Sequence, residues 1–161
     1  MAKVYRYVLE HGKKETINLN LELEFISSYI FLLKIRFEEN IQVSIDIADA
    51  EKFHTAPVSL QLLIENAVKH NVISTAAPLI IQIYQEGEYI VIKNNVQRRL
   101  ESNSSTGLGL NNLISRYSFL TNNPVRIEKN NLFFTVYIPL ISEHINNNKT
   151  LTSHESIDNR R

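Results

Sequence analysis

A two-layer α/β (α+β) sandwich is the fold class this sequence predicts: a mixed, largely antiparallel sheet with helices on one face. Three observations carry that expectation. Residues 21–37 and 60–70 repeat apolar side chains at helical spacing. Two late pairs of β-rich runs, 79–84 with 89–93 and 125–128 with 133–139, are each joined by a short turn-prone link, as hairpins are. Helices and strands also fail to alternate regularly, which argues against a doubly wound parallel sheet.

Taken in order, residues 4–10 read as the last turns of a helix that ends at His11-Gly12 and begins outside this chain. Residues 14–20 form a short extended piece with Thr16, Ile17 and Leu19 as its strand residues. Leu21, Phe25, Tyr29, Leu32, Leu33 and Phe37 then mark a long amphipathic helix, with Glu22 and Glu24 in its first turn and Lys34 and Arg36 in its last. Ile41, Val43, Ile45 and Ile47 alternate with polar residues as a half-buried strand does. Residues 48–57 are the connection, and Pro57 and Ser59 open the next helix. A loop at 71–77 leads to the first hairpin, turning at Glu86-Gly87-Glu88. A long polar segment follows, and long loops in compact domains tend to be functional. Leu110, Leu113, Ile114 and Tyr117 define a helix starting at Gly107 or Gly109, and Lys129-Asn130-Asn131 turns the second hairpin. The expected layout is residues 1–13 as the end of a preceding helix, 14–141 as the domain, and 142–161 as a polar, disordered tail.

Composition narrows the function classes. The 161 residues, 43% hydrophobic and 21% charged, suit a globular domain. Seventeen basic and seventeen acidic residues cancel, so nothing electrostatic favours nucleic acid as a partner. With no cysteine, disulfides, thiol catalysis and thiolate zinc sites are excluded. No hydrolase elbow or metal-spaced histidine pair is present.

Chemistry concentrates on one helix. At 100° per residue, Leu60, Leu63, Ile64, Ala67 and Val68 share one arc, and Glu65, Asn66, Lys69 and His70 share the opposite one. A solvated face with a Glu65–Lys69 pair is the plain alternative. Against it, asparagine is a mediocre helix former, which suggests a task for the Asn66 side chain. A carboxylate, an amide, an ammonium and an imidazole side by side also match the needs of a metal-bound polyphosphate. Thr106-Gly107-Leu108-Gly109-Leu110 puts two glycines at a helix mouth, where free N–H groups and the helix dipole favour phosphate. It is neither a dinucleotide fingerprint nor a Walker loop.

Glu65-Asn66-Ala67-Val68-Lys69-His70 resembles the asparagine box, and Thr106 through Leu110 the second glycine box, of the catalytic ATP-binding domain of sensor histidine kinases. Leu23-Glu24 through Arg36-Phe37 and Pro57 through His70 resemble the LytS/YehU-type subfamily in particular. The resemblance implies the Bergerat-type ATP-binding fold shared with gyrase, the heat-shock chaperone and MutL. It implies ATP and Mg²⁺ as cofactors, with Asn66 ligating the Mg²⁺ held by the triphosphate and Glu65 acting as base or orienting the incoming group. Lys69 and His70 would contact phosphate, Gly107, Leu108 and Gly109 would offer backbone amides, and residues 96–106 would form a lid. Asn94 is the counterpart of the family's adenine-binding aspartate, able to accept through its amide oxygen, and Val96 replaces a glycine.

None of His11, His54, His70, His144 or His154 lies in a motif like the family's His-Phe-Leu-Phe-Asn, so the phosphoacceptor is expected outside this chain. The implied partners are an upstream dimerisation and phosphoacceptor domain, a response regulator of the LytTR type, and a second copy in a homodimeric parent. That parent would be anchored in the inner membrane with this domain in the cytoplasm. A degenerate, non-catalytic module and an ATPase of the same superfamily are the alternative readings.

Overall fold

The computed structural model describes residues 14–97 and 108–142. The expected helix at 4–10, most of the polar segment before Leu108 and nearly all of the tail lie outside these residues. The order is β1 (Ile17–Asn18), α1 (Leu19–Phe37), β2 (Ile41–Asp46), β3 (Phe53–Thr55), α2 (Ser59–His70), β4 (Leu79–Glu86), β5 (Tyr89–Asn95), α3 (Leu108–Leu120), β6 (Arg126–Lys129), β7 (Phe133–Pro139) and β8 (Ile141–Ser142).

The main sheet runs β2-β4-β5-β7-β6. Its β2–β4 pair is parallel and the other pairs are antiparallel, so the sheet is mixed and largely antiparallel as expected. Gly87, at φ 57°, supplies the positive φ that the two-residue link between Glu86 and Tyr89 requires. In the second hairpin the Asn130 Oδ1 accepts the N–H groups of Leu132 and Phe133, at 2.8 and 2.7 Å. Leu79, Ile81, Ile83, Ile90, Ile92, Val136 and Ile138 form one core with residues from all three helices, among them Ile26, Ile30, Leu60, Ile64, Leu113 and Tyr117. This cluster therefore joins the two layers, and a small second one gathers Ile17, Phe25 and Val58.

Two local expectations change. Leu19 is the first residue of α1 rather than a strand residue, because the Asn18 side chain caps the helix by accepting from the Asn20 N–H at 3.0 Å. The inward face of α1 is accordingly Leu19, Glu22, Phe25, Ile26, Ile30 and Leu33, while Leu21 turns outward at 40% exposure. The stretch 48–57 is also more than a connection. It contains β3, the middle strand of a small second sheet ordered β1-β3-β8. Ser142 lies in β8, one residue past the expected domain boundary.

Candidate functional site

The separation of faces on α2 holds in three dimensions. Leu60, Leu63, Ile64 and Ala67 are buried, Glu65 and Lys69 are exposed, and Asn66 and His70 are half-buried. Gln61, one turn earlier, donates from Nε2 to the Glu65 carboxylate at 2.6 Å. From α1, the Tyr29 hydroxyl also hydrogen-bonds Glu65. Burial first, then the Glu65 charge, pushes the Tyr29 phenol up to about 12, so it stays a proton donor to that carboxylate across the physiological range. Burial, followed by the charges of Lys69 and Lys129, holds the His70 imidazole below its ordinary range. At neutral pH the cationic member of this cluster on α2 is therefore Lys69, and His70 is a neutral hydrogen-bonding group.

Asn94 stands on the helix-facing side of the sheet, paired with Ile81 and Phe134, and is 4% exposed. Its Nδ2 donates to the Asn95 carbonyl at 2.6 Å, which leaves Oδ1 as its accepting end. The chain leaving β5 is fastened to the end of α2. Asn71 Oδ1 accepts the Gln97 N–H at 2.6 Å, and the Gln97 carbonyl accepts the Val72 N–H at 2.7 Å. These bonds bring the strand carrying Asn94 beside the helix carrying Glu65 and Asn66.

The third element is the first turn of α3. A Cβ built at Gly109 would lie 3.0 Å from Leu62 Cδ1, so glycine there lets α3 approach α2 closely. Leu62 precedes Asn66 by one turn on the same face of α2, so Gly109 packs on the face of α2 that carries Asn66. Glu65, Asn66, Lys69 and His70 share one face of α2, Gly109 of α3 packs against that helix at Leu62, and the strand carrying Asn94 is tied to the end of α2 through Gln97. Thr106, Gly107, Arg98 and Arg99 lie outside the described residues.

Several participants carry no functional signal in the sequence: Asn71 lies in an expected loop, Tyr29 in the apolar stripe of α1 and Lys129 in a turn. Arg116 Nη1 donates to the Pro57 carbonyl at 3.1 Å, and the buried Tyr117 hydroxyl pairs with Thr55 Oγ1 at 2.7 Å and accepts the Ala56 N–H at 3.2 Å. Both residues thereby hold the segment that opens α2. No local signal marks such long-range partners.

Among known proteins, a family model described as histidine kinase matches residues 1–41. The sensor protein LytS of Streptococcus agalactiae is 28% identical over 136 residues, covering 74% of this chain and 23% of that protein. The sensor histidine kinase YesM of Bacillus subtilis is 29% identical over 123 residues, covering 71% and 21%. The sensor protein kinase HptS of Staphylococcus aureus is 35% identical over 71 residues, covering 44% and 14%. This chain thus spans less than a quarter of the length of these relatives. Among solved structures, the catalytic domain of the histidine kinase ThkA matches with a TM-score of 0.51 at 20% identity, over 80% of this chain and 97% of that one. The chain is a homologue of the LytS, YesM and HptS sensor histidine kinases and carries the fold of a histidine-kinase catalytic domain.

Proposed function

We propose that this chain is the ATP-binding catalytic portion of a two-component sensor kinase, transferring the γ-phosphoryl of Mg-ATP to a histidine outside the chain. The observation that supports the reading is the close approach of Gly109 in α3 to Leu62 in α2, on the helix face that carries Glu65 and Asn66. Phosphoryl transfer asks a protein for positioning and for charge neutralisation, and these elements supply both.

The residues fit Mg-ATP. Asn66 offers a half-buried amide oxygen, and among the described residues no cluster of acidic or histidine side chains is set to hold a metal by itself. A Mg²⁺ at Asn66 would therefore share its shell with phosphate oxygens and neutralise their charge. Glu65, steadied by Gln61 and Tyr29, faces outward, where an incoming imidazole could be oriented or relieved of its proton. Lys69 contributes a positive charge and His70 a neutral donor to phosphate. Backbone N–H groups at Leu108, Gly109 and Leu110 would receive the phosphate oxygens, the role the resemblance also gives to Thr106 and Gly107. The Asn94 Oδ1 would accept from the adenine amino group, a role compatible with the commitment of its Nδ2 to Asn95.

The wider assignment follows the relatives. Residues 1–13 would end the dimerisation and phosphoacceptor helix, in keeping with a family match that starts at residue 1 and runs through α1. The parent would be a homodimer passing its phosphoryl to an aspartate of a LytTR-type response regulator. It would be anchored in the inner membrane; no described helix is long and apolar enough to cross one.

Calorimetric titration of the chain with Mg-ATP and Mg-ADP is the direct test. Binding below millimolar nucleotide is expected, and its absence would turn the reading into one of a non-catalytic module. Mixing the chain with its upstream helix and γ-labelled ATP separates a kinase, which gives acid-labile phosphoprotein, from an ATPase, which gives free phosphate.

A further inference from the structure

Glu22 is 0% exposed, the single charged side chain among the described residues that is fully buried. A buried carboxylate is costly unless hydrogen bonds replace its lost water. Here Oε2 accepts the Val58 N–H at 3.0 Å and Oε1 accepts the Leu60 N–H at 3.0 Å, both at the opening of α2. These are among the donors that a helix start leaves without an internal partner. No side chain of α2's own leading residues caps them: Val58 cannot, and the Ser59 hydroxyl is spent on the Ala56 carbonyl at 2.7 Å.

A cap supplied by another helix does more than satisfy donors. It ties the first turn of α2 to α1 at two points, which sets both its height and its rotation about its own axis. Val58 adds to this. At φ 67° it is a β-branched residue in the left-handed region, a strained conformation that persists only where neighbours hold it, and Glu22 holds its N–H. Two turns further along the same face of α1 stands Tyr29, which hydrogen-bonds Glu65. The first helix therefore grips the second at its start and again at its acidic side chain.

We propose that Glu22 is a positioning residue of the nucleotide site, setting the rotation and height at which α2 presents Glu65 and Asn66 to a magnesium-bound polyphosphate. The inference rests on the Mg-ATP reading of that site. A small rotation at Leu60 is carried rigidly along the helix to Asn66, where ligation of a cation tolerates little displacement. Glutamine at this position would have one accepting oxygen and one NH₂, so one of the two backbone N–H groups would face another donor.

The test uses the 161-residue chain. Calorimetry gives its affinity for ATP with magnesium and with EDTA, and the ratio of the two is the magnesium-dependent gain. Glu22→Gln is expected to cut that gain about fivefold or more, with the magnesium-free affinity within about twofold of the parent, since one lost hydrogen bond at this scale is about such a factor. A residue that served stability alone would lower the melting temperature and leave the gain intact, or weaken both affinities equally; either result overturns the proposal. Should Glu22→Gln not fold, Glu22→Asp keeps the charge and both oxygens but withdraws them by one methylene, and a full gain in that variant overturns it equally. A parent chain without any magnesium-dependent gain instead overturns the reading of the site.

Discussion

At the scale of single residues, the polar face of α2 separates binding from stability. Asn66 is half-buried in mid-helix, and alanine is the better helix former there by roughly 0.5 kcal/mol. Asn66→Ala is thus expected to keep or slightly raise the melting temperature while weakening Mg-ATP binding about tenfold or more, as paired calorimetry and thermal melts will show. Asn94 behaves in the opposite way. Asn94→Asp would set a carboxylate oxygen against the Asn95 carbonyl in a buried position, and the expected cost is about 1–3 kcal/mol in urea unfolding. Asn66 was legible in the sequence because a poor helix former in a helical pattern stands out. Glu22 was not, because its partner Val58 lies 36 residues away and nothing in its own turn announces a buried carboxylate.

At the scale of elements, the crossing of α2 and α3 is the contact on which the candidate site depends. Gly109→Ala gains about 1 kcal/mol of helix propensity and must push the end of the Leu62 side chain by a few tenths of an ångström, so near-neutral stability is expected. Gly109→Val adds bulk that Leu62 cannot clear. Its expected cost is about 1–3 kcal/mol with a parallel loss of nucleotide affinity, and Leu62→Ala in the same chain should restore part of both. The hairpins and the three helices were readable from period and turn residues such as Gly87 and Asn130. β3 was missed because Phe53-His54-Thr55 is too short to display alternation, and it is a strand only because β1 and β8 flank it. The start of α1 was misplaced for a related reason: Leu19 favours a strand about as well as a helix, and the Asn18 cap decides the matter.

At the scale of the whole molecule, several phenols share one alkaline liability. Burial is the first cause raising Tyr29, Tyr84, Tyr117 and Tyr137 above the ordinary 10.0, with Tyr29 reaching about 12. A raised phenol binds its proton more tightly in the folded chain, so the stability it contributes is complete below pH 10 and is lost as pH climbs toward 12. Urea unfolding across that window should show a steady fall, shallower in Tyr29→Phe. The layered α/β class was legible because patterning fixes layers, whereas the second sheet depends on pairings between residues at both ends of the domain. That arrangement also governs the order of assembly. Both hairpins close over short stretches of chain, but the parallel β2–β4 pair must enclose β3 and all of α2 before it can zip. The candidate site is consequently expected among the last parts to form. A ligand that recognises only the finished site should slow unfolding rather than hasten folding, leaving the refolding arm of a chevron unmoved and lowering its unfolding arm.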